Sequence, residues 1–194
     1  MRLETERLLL REMDSGDLEA LRTILQDATT MAAYGGPFSD AEASQWLNRQ
    51  LHRYHEDGFG LWAVVLKETA QMIGQCGLTW QDIDGDRVVE IGYLLNRSYW
   101  GRGHAAEAAR ACVGYAFGEL GVERLWAQIR DTNLASQRVA RRLGLTVAKR
   151  FVRHYRGIDM PHLAFATPAA GDSASVGVNH PAATGADGFT APSG

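Results

Sequence analysis

The stretch that most restricts the fold is residues 90–130. EIGYLL (90–95) has the look of a strand, and NRSYW then leads to Gly101, Arg102 and Gly103. An alanine-rich helix follows over about 103–120 and stops at Gly121, before a second strand-like run, ERLWAQIR (123–130). A strand, a helix and a strand in that order call for a crossover connection and a parallel pair of strands. The glycines narrow the reading further. Glycine at a strand-to-helix junction supplies unusual backbone angles and lets a ligand approach the main chain. A helix start adds unpaired N–H groups and the positive end of the helix dipole, so this junction suits a phosphate, with Arg102 as a mobile charge beside it. A tight turn without a ligand is the competing reading.

The surrounding pattern decides what kind of sheet holds this unit. RLLLREM (7–13) reads as a strand, and Asp14, with Asp17 three residues on, caps a helix whose apolar stripe is Leu18, Leu21, Ile24 and Leu25. Ser39 and Glu42 form a capping-box signature for a helix over 39–56. Strands are predicted at 60–67, 71–80 and 87–95, joined by the short polar linkers ETA and QDIDGD, which favours antiparallel hairpins. After the strand at 123–130 come a helix capped by Asn133 and ending at Gly144, then strands near 145–156 and 160–167. The order is β-α-α-β-β-β-α-β-α-β-β: an α/β fold with a mixed, mostly antiparallel central sheet flanked by helices. This places one domain at 1–167. Residues 168–194 contain no Lys, Arg or Glu and little that is large and apolar, so a disordered Ala/Gly/Pro/Ser-rich tail is expected there.

A net charge of −3 gives no global electrostatic case for DNA or a membrane, and no apolar run approaches the roughly 20 residues of a membrane span. The charged N-terminus fits no signal peptide. Cys76 and Cys112 lie in apparent core elements without CxxC spacing and read as buried thiols in a reducing cytoplasm. His52 and His55 share a helix without a third ligand, so no metal is expected. GRGHAA (101–106), with Asp131 after the next strand, fits a dinucleotide fingerprint. Five residues separate the strand from Gly101, however, and the preceding strands read as antiparallel; both weigh against it.

Residues 90–145 carry SYWGRGHAAEA and NLASQRVARRLGL in order and at fixed separation, and ETERLLLREM opens the chain. Together they closely resemble the GNAT-type N-acetyltransferases, nearest the branch containing the ribosomal-protein N-terminal acetyltransferases (RimJ/RimL-like), over about residues 2–167. The resemblance implies acetyl-CoA as cofactor and CoA as product. The pyrophosphate would be cradled by the loop of Trp100, Gly101, Arg102, Gly103, His104, Ala105 and Ala106. It also implies a strand that bulges and splays from its neighbour, offering backbone at Tyr93, Leu94 and Leu95 to the pantetheine arm and an amide to the thioester carbonyl. Asn133 matches the position that bonds that arm, Ser136 follows one helical turn on, and Arg142 is placed to meet the 3′-phosphate. Two positions depart from the pattern: Ser98 replaces the loop's usual leading Arg or Gln, and Ala140 stands where many relatives carry a Tyr acid. Ser136 or water then becomes the candidate acid, or none is needed, because a thiol with pKa ~8.5 leaves readily at neutral pH.

Acetyl transfer requires a neutral amine. An α-amine near pKa ~8 deprotonates at little cost, whereas a lysine near ~10.4 costs about 4–5 kcal/mol at neutral pH. Glu90 is the candidate base, since the resemblance places it on the active-site strand; an ion pair with Arg87 or Arg130 is its structural alternative. Seven cationic residues without an acid, Arg138, Arg141, Arg142, Lys149, Arg150, Arg153 and Arg156, read as a solvated face with some cofactor contact. The acceptor pocket is expected from residues 29–40 and the last strands, with Tyr34, Phe38, Trp46, Phe59 and Trp62 as candidate walls. The acceptor itself, a peptide N-terminus or a small amine, stays open, as does the choice between monomer and homodimer. A CoA-binding sensor without turnover is the alternative, and Ala140 favours it.

Overall fold

The computed structural model describes residues 1–83, 85–155 and 157–168. The expected tail beyond 168 lies outside them, as does Arg156. Eight strands form one sheet: β1 (Arg2–Glu4), β2 (Leu8–Arg11), β3 (Leu61–Leu66), β4 (Gln71–Ile83), β5 (Asp86–Leu95), β6 (Leu125–Arg130), β7 (Thr146–Tyr155) and β8 (Ile158–Ala166). Four helices flank it: α1 (Leu18–Leu25), α2 (Asp40–Glu56), α3 (His104–Gly118) and α4 (Leu134–Arg142). The sheet order is β1-β2-β3-β4-β5-β6-β8-β7, antiparallel throughout except for β5 against β6. The antiparallel β4 beside β5 removes the dinucleotide reading, whose sheet is parallel on both sides at that point.

Alternation in β3 shows why the sheet is covered on both faces. Trp62, Val64 and Leu66 join a core with Cys112, Ala108 and Ala116 of α3, while Leu61, Ala63 and Val65 join another with Leu21 and Leu25 of α1 and Leu47 of α2. Cys76 and Cys112 meet in the first core with their sulfurs 3.6 Å apart, both free and buried. The predicted caps form: Asp14 and Asp17, then Ser39 and Glu42, make reciprocal capping boxes, and the Asn133 side chain accepts from the Ser136 N–H.

Three expectations need correction. The sheet has one strand more than the seven predicted, because three residues of β1 are too few to show a period and gain their place only by pairing with β2. β4 runs on to Ile83, so the supposed linker 81–86 is mostly paired strand, held by the register Ile83↔Asp86. The bulge expected before the glycine loop is absent: β5 pairs with β4 in unbroken register from Asp86 to Leu95.

What β5 does have is a parting. Only Val89 and Glu90 pair with β6, at Leu125 and Trp126. Beyond that point β6 pairs with β8 alone, and the rest of β5 has no strand on that side. Backbone groups left unpaired at such a split are ready to bond a ligand.

Candidate active site

Two cavities meet at this split. The larger, about 730 Å³, is lined by Trp100, Gly101, Gly103, His104, Ala105 and Ala106, by Tyr93, Leu94 and Leu95, and by Asn133, Ser136, Arg138 and Arg142. The smaller, about 310 Å³, holds Glu90, Gln128, Tyr34, Trp46 and Gln75, with Arg49, Arg53, Arg130 and Arg153. Tyr34, Tyr93, Leu94, Arg130, Asn133 and Ser136 line both, so the cavities communicate across the end of the paired segment.

The glycine loop is built for close approach. Gly101 has φ 75° and Gly103, which caps α3, has φ 82°. Neither is crowded by protein: a Cβ at Gly101 would touch nothing, and one at Gly103 only Arg7 Nη2 at 3.5 Å. Backbone sign, and open space above the loop, are therefore what these positions require. Gly103 offers no side-chain cap, which leaves the first N–H groups of α3 facing the larger cavity. The loop is anchored from behind. Glu107 accepts from Thr5 Oγ1 at 2.6 Å and from the Arg7 backbone and Nε at 2.9 and 2.7 Å, while Arg7 Nη1 donates to the Arg102 carbonyl at 3.1 Å. Arg102 itself turns out of the cavity, over the Tyr99 ring at 5.7 Å. His104 is buried with an unpartnered Nδ1, and burial holds its imidazole below the usual pKa. Trp100 Nε1 donates to the Leu95 carbonyl at 2.8 Å, tying the loop to the end of β5.

Glu90 stands on the last paired residue before the split. Gln128 Nε2 donates to its Oε2 at 2.7 Å, and neither Arg87 nor Arg130 pairs with it. Arg87 lies over Trp80, and Arg130 Nη1 donates to the Ala32 carbonyl at 2.9 Å. Burial pushes the Glu90 carboxyl up to about 7, against the Gln128 hydrogen bond and the positive charges of Arg153 and Arg53. A carboxyl poised there exchanges protons readily at neutral pH. Burial, then the charge of Glu90, pushes Tyr34 up to about 12, so its phenol stays protonated. Tyr93 is raised further by burial, and its hydroxyl donates to the Ser136 carbonyl at 2.8 Å, bridging β5 to α4. Ala140 is fully buried and lines neither of these cavities.

Of the expected pocket walls, Tyr34 and Trp46 line the smaller cavity, with Trp46 held by Nε1 donating to Gln75 Oε1 at 2.9 Å. The other three do not. Trp62 is 0% exposed and packs edge-on against Tyr115 in the core; Phe38 backs Trp46; Phe59 packs on Trp80. Aromatic residues in an apolar run serve core and pocket equally well, and only the sheet face separates the two roles. Sequence reasoning missed Gln128, Arg49 and Arg53. Gln128 had one readable signal: it alternates with Trp126 and Arg130 on a single face of β6. Among the described residues no three His, Cys, Asp or Glu converge on a metal-like site, and no helix is long and apolar enough to cross a membrane.

Residues 7–146 match the family model described as the acetyltransferase (GNAT) domain. The chain belongs to the GNAT acetyltransferase family. Among curated relatives, the protein YkkB of Bacillus subtilis is 38% identical over 76% of this chain and 87% of its own length. The N-acetyltransferase p20 of Bacillus licheniformis is 32% identical over 69% and 76%. An Agrobacterium tumefaciens acetyltransferase structure superposes with TM-score 0.73 and 30% identity, covering 87% of this chain and 94% of that one. RimL, a ribosomal L7/L12 alpha-N-protein acetyltransferase solved with coenzyme A, shares the fold at TM-score 0.71 and 19% identity over 89% and 99%. This GNAT chain is thus an N-acetyltransferase on an eight-stranded mixed sheet.

Proposed function

We propose that this chain moves the acetyl group of acetyl-CoA to a primary amine by direct attack, with the two ligands entering from opposite sides of the β5/β6 split. The observation that carries the reading is the position of Glu90. The carboxyl lies in the smaller cavity, on the last paired residue before the unpaired backbone of β5 that lines the larger cavity. The larger cavity fits the cofactor: its glycine loop has room above it, the start of α3 faces it, and Arg138 and Arg142 supply charge for phosphates. The RimL neighbour, solved with coenzyme A, supports that assignment.

Acetyl-CoA supplies the activated thioester. The chain's residues do the rest. Loop amides at 100–106 hold the pyrophosphate, Arg142 meets the 3′-phosphate, and the free edge at Tyr93, Leu94 and Leu95 binds the pantetheine arm. An N–H on that edge stabilises the developing oxyanion, a contribution of about 3–4 kcal/mol for one preorganised donor. Asn133 presents the amide not used in capping α4. Glu90 takes the amine's proton, directly or through water, and Ser136, which lines both cavities, is the proposed relay of a proton to the departing thiolate, regaining its own from water. The Arg102 side chain is assigned no ligand contact, because its guanidinium lies on Tyr99.

The test is release of free thiol from acetyl-CoA across a panel of peptides with free N-termini and small amines. Amine-dependent release is expected. Tight acetyl-CoA binding with no release across the panel would make the chain a CoA-binding module without turnover.

A further inference from the structure

Like the cofactor cavity, the smaller cavity is cationic. Arg49, Arg53, Arg130 and Arg153 line it against a single carboxylate, Glu90, which leaves three surplus positive charges even when Glu90 is ionised. The whole chain carries −3. Some arginines elsewhere find acids: Arg7 pairs with Glu107, Arg11 with Asp17, Arg22 with Glu19 and Arg97 with Asp27. Among the described residues none of the four cavity arginines makes an ion pair. Arg130 is committed to the Ala32 carbonyl at 2.9 Å. Arg49 lies over Trp46 at 5.2 Å, and Arg53, one turn along α2, bonds the neutral Gln50 at 3.2 Å. Arg153 enters from another element, β7.

This arrangement discriminates between acceptors. An amine arrives from water as a cation, and a wall of unpaired guanidinium groups repels a bare ammonium. A molecule that brings its own oxyanion reverses the sign of that interaction, and a guanidinium matches carboxylate and phosphoryl oxygens with two parallel donors. At about 310 Å³ the cavity sits at the small end of small-molecule sites, roughly 300–1,000 Å³, which favours a compound of amino-acid size over a folded partner. We infer that the acceptor is a small amine bearing a carboxylate or phosphoryl group, whose oxyanion is gripped by Arg53 and Arg153, with Arg49 beside them, while its amine reaches Glu90. The inference rests on the acetyl-transfer reading above and specifies its substrate class. The same positive field favours the neutral form of the bound amine, and so assists the proton loss the reaction needs.

The experiment pairs each anionic amine with a neutral twin: an α-amino acid against its amide, and an aminoalkyl phosphate against the matching amino alcohol, with a peptide of acidic N-terminal sequence as a further arm. Thiol release should give a kcat/KM about tenfold or more higher for the anionic member of at least one pair, and the better pair distinguishes carboxylate from phosphoryl. Arg153→Gln and Arg53→Gln should each cut that preference about tenfold, mainly through KM, and Arg153→Lys should restore part of it. Acetyl-CoA affinity by calorimetry verifies that each variant is folded. The amino acid and the aminoalkyl phosphate are also titrated into protein saturated with CoA, where nothing can turn over. Arginine-dependent binding there, with no thiol release from any amine, would uphold the anion site and sink the acetyl-transfer reading instead. Preference for the neutral twins or for the acidic peptide overturns the inference. So does an anionic preference unchanged in both Gln variants, or the absence of anionic-amine binding to the CoA complex.

Discussion

Glu90 shows how far a carboxylate's chemistry is decided by what surrounds it. On β5 the residue is one polar position in an apolar strand, and its two sequence-level readings, base or ion-pair member, could not be separated. The structure removes the ion pair with Arg87 or Arg130 and puts Gln128 in its place. Burial then raises the carboxyl to about 7. If Glu90 is the base, Glu90→Gln keeps the size and loses the basicity, and turnover should fall by a factor on the order of 10²–10⁴. Acetyl-CoA affinity, measured by calorimetry, should stay within error, and the rising limb of kcat/KM near pH 7 should move upward. Near-normal turnover with an unmoved limb would take Glu90 out of the mechanism. Stability gives an independent check. An acid with a raised pKa stabilises the fold most below its unfolded value of about 4.5, and that contribution is lost as pH rises through about 7. The Gln variant has nothing to ionise. Its stability relative to the parent should therefore climb by roughly 2–3 kcal/mol between pH 4.5 and 8 in denaturant titrations.

The loop and the two strands beside it are the element on which cofactor binding turns. Its glycines were legible because glycine next to a helix start has few uses, and the caps at Asp14, Ser39 and Asn133 were legible because each depends on residues within a turn. β1, the extension of β4 and the missing bulge were not, because pairing partners many residues away decide them. The loop assignment makes a direct prediction. Valine at Gly103 would have to adopt φ near 82°, costing about 1–3 kcal/mol, and would put a branched side chain where phosphate approaches. Gly103→Val should weaken acetyl-CoA binding tenfold or more by calorimetry while keeping a native circular dichroism spectrum. Unchanged affinity would reject the loop as the phosphate site.

Across the whole molecule, the clamp of Thr5, Arg7 and Glu107 joins the N-terminal hairpin to α3 over about a hundred residues of chain and holds the loop through the Arg102 carbonyl. Burial alone would raise the Glu107 carboxyl, but the hydrogen bonds from Thr5 and Arg7 hold it below its ordinary value. Its contribution is therefore present above about pH 4.5 and is lost as pH falls through the lowered pKa. Glu107→Ala should cost about 1–3 kcal/mol at neutral pH and weaken acetyl-CoA binding as well, read together as a lower melting temperature and a smaller shift on adding CoA. A stability loss with cofactor affinity intact would confine the clamp to structure. Apart from β1, the order of elements, their caps, the glycine loop and the mixed sheet could all be read from the amino-acid sequence, because each rests on periodicity and contacts a few residues apart. The parting of β5 from β6, the Gln128 partner of Glu90 and the meeting of arginines from α2, β6 and β7 belong to the tertiary structure. They follow from which strand lies beside which, and no local pattern encodes a neighbour that distant along the chain.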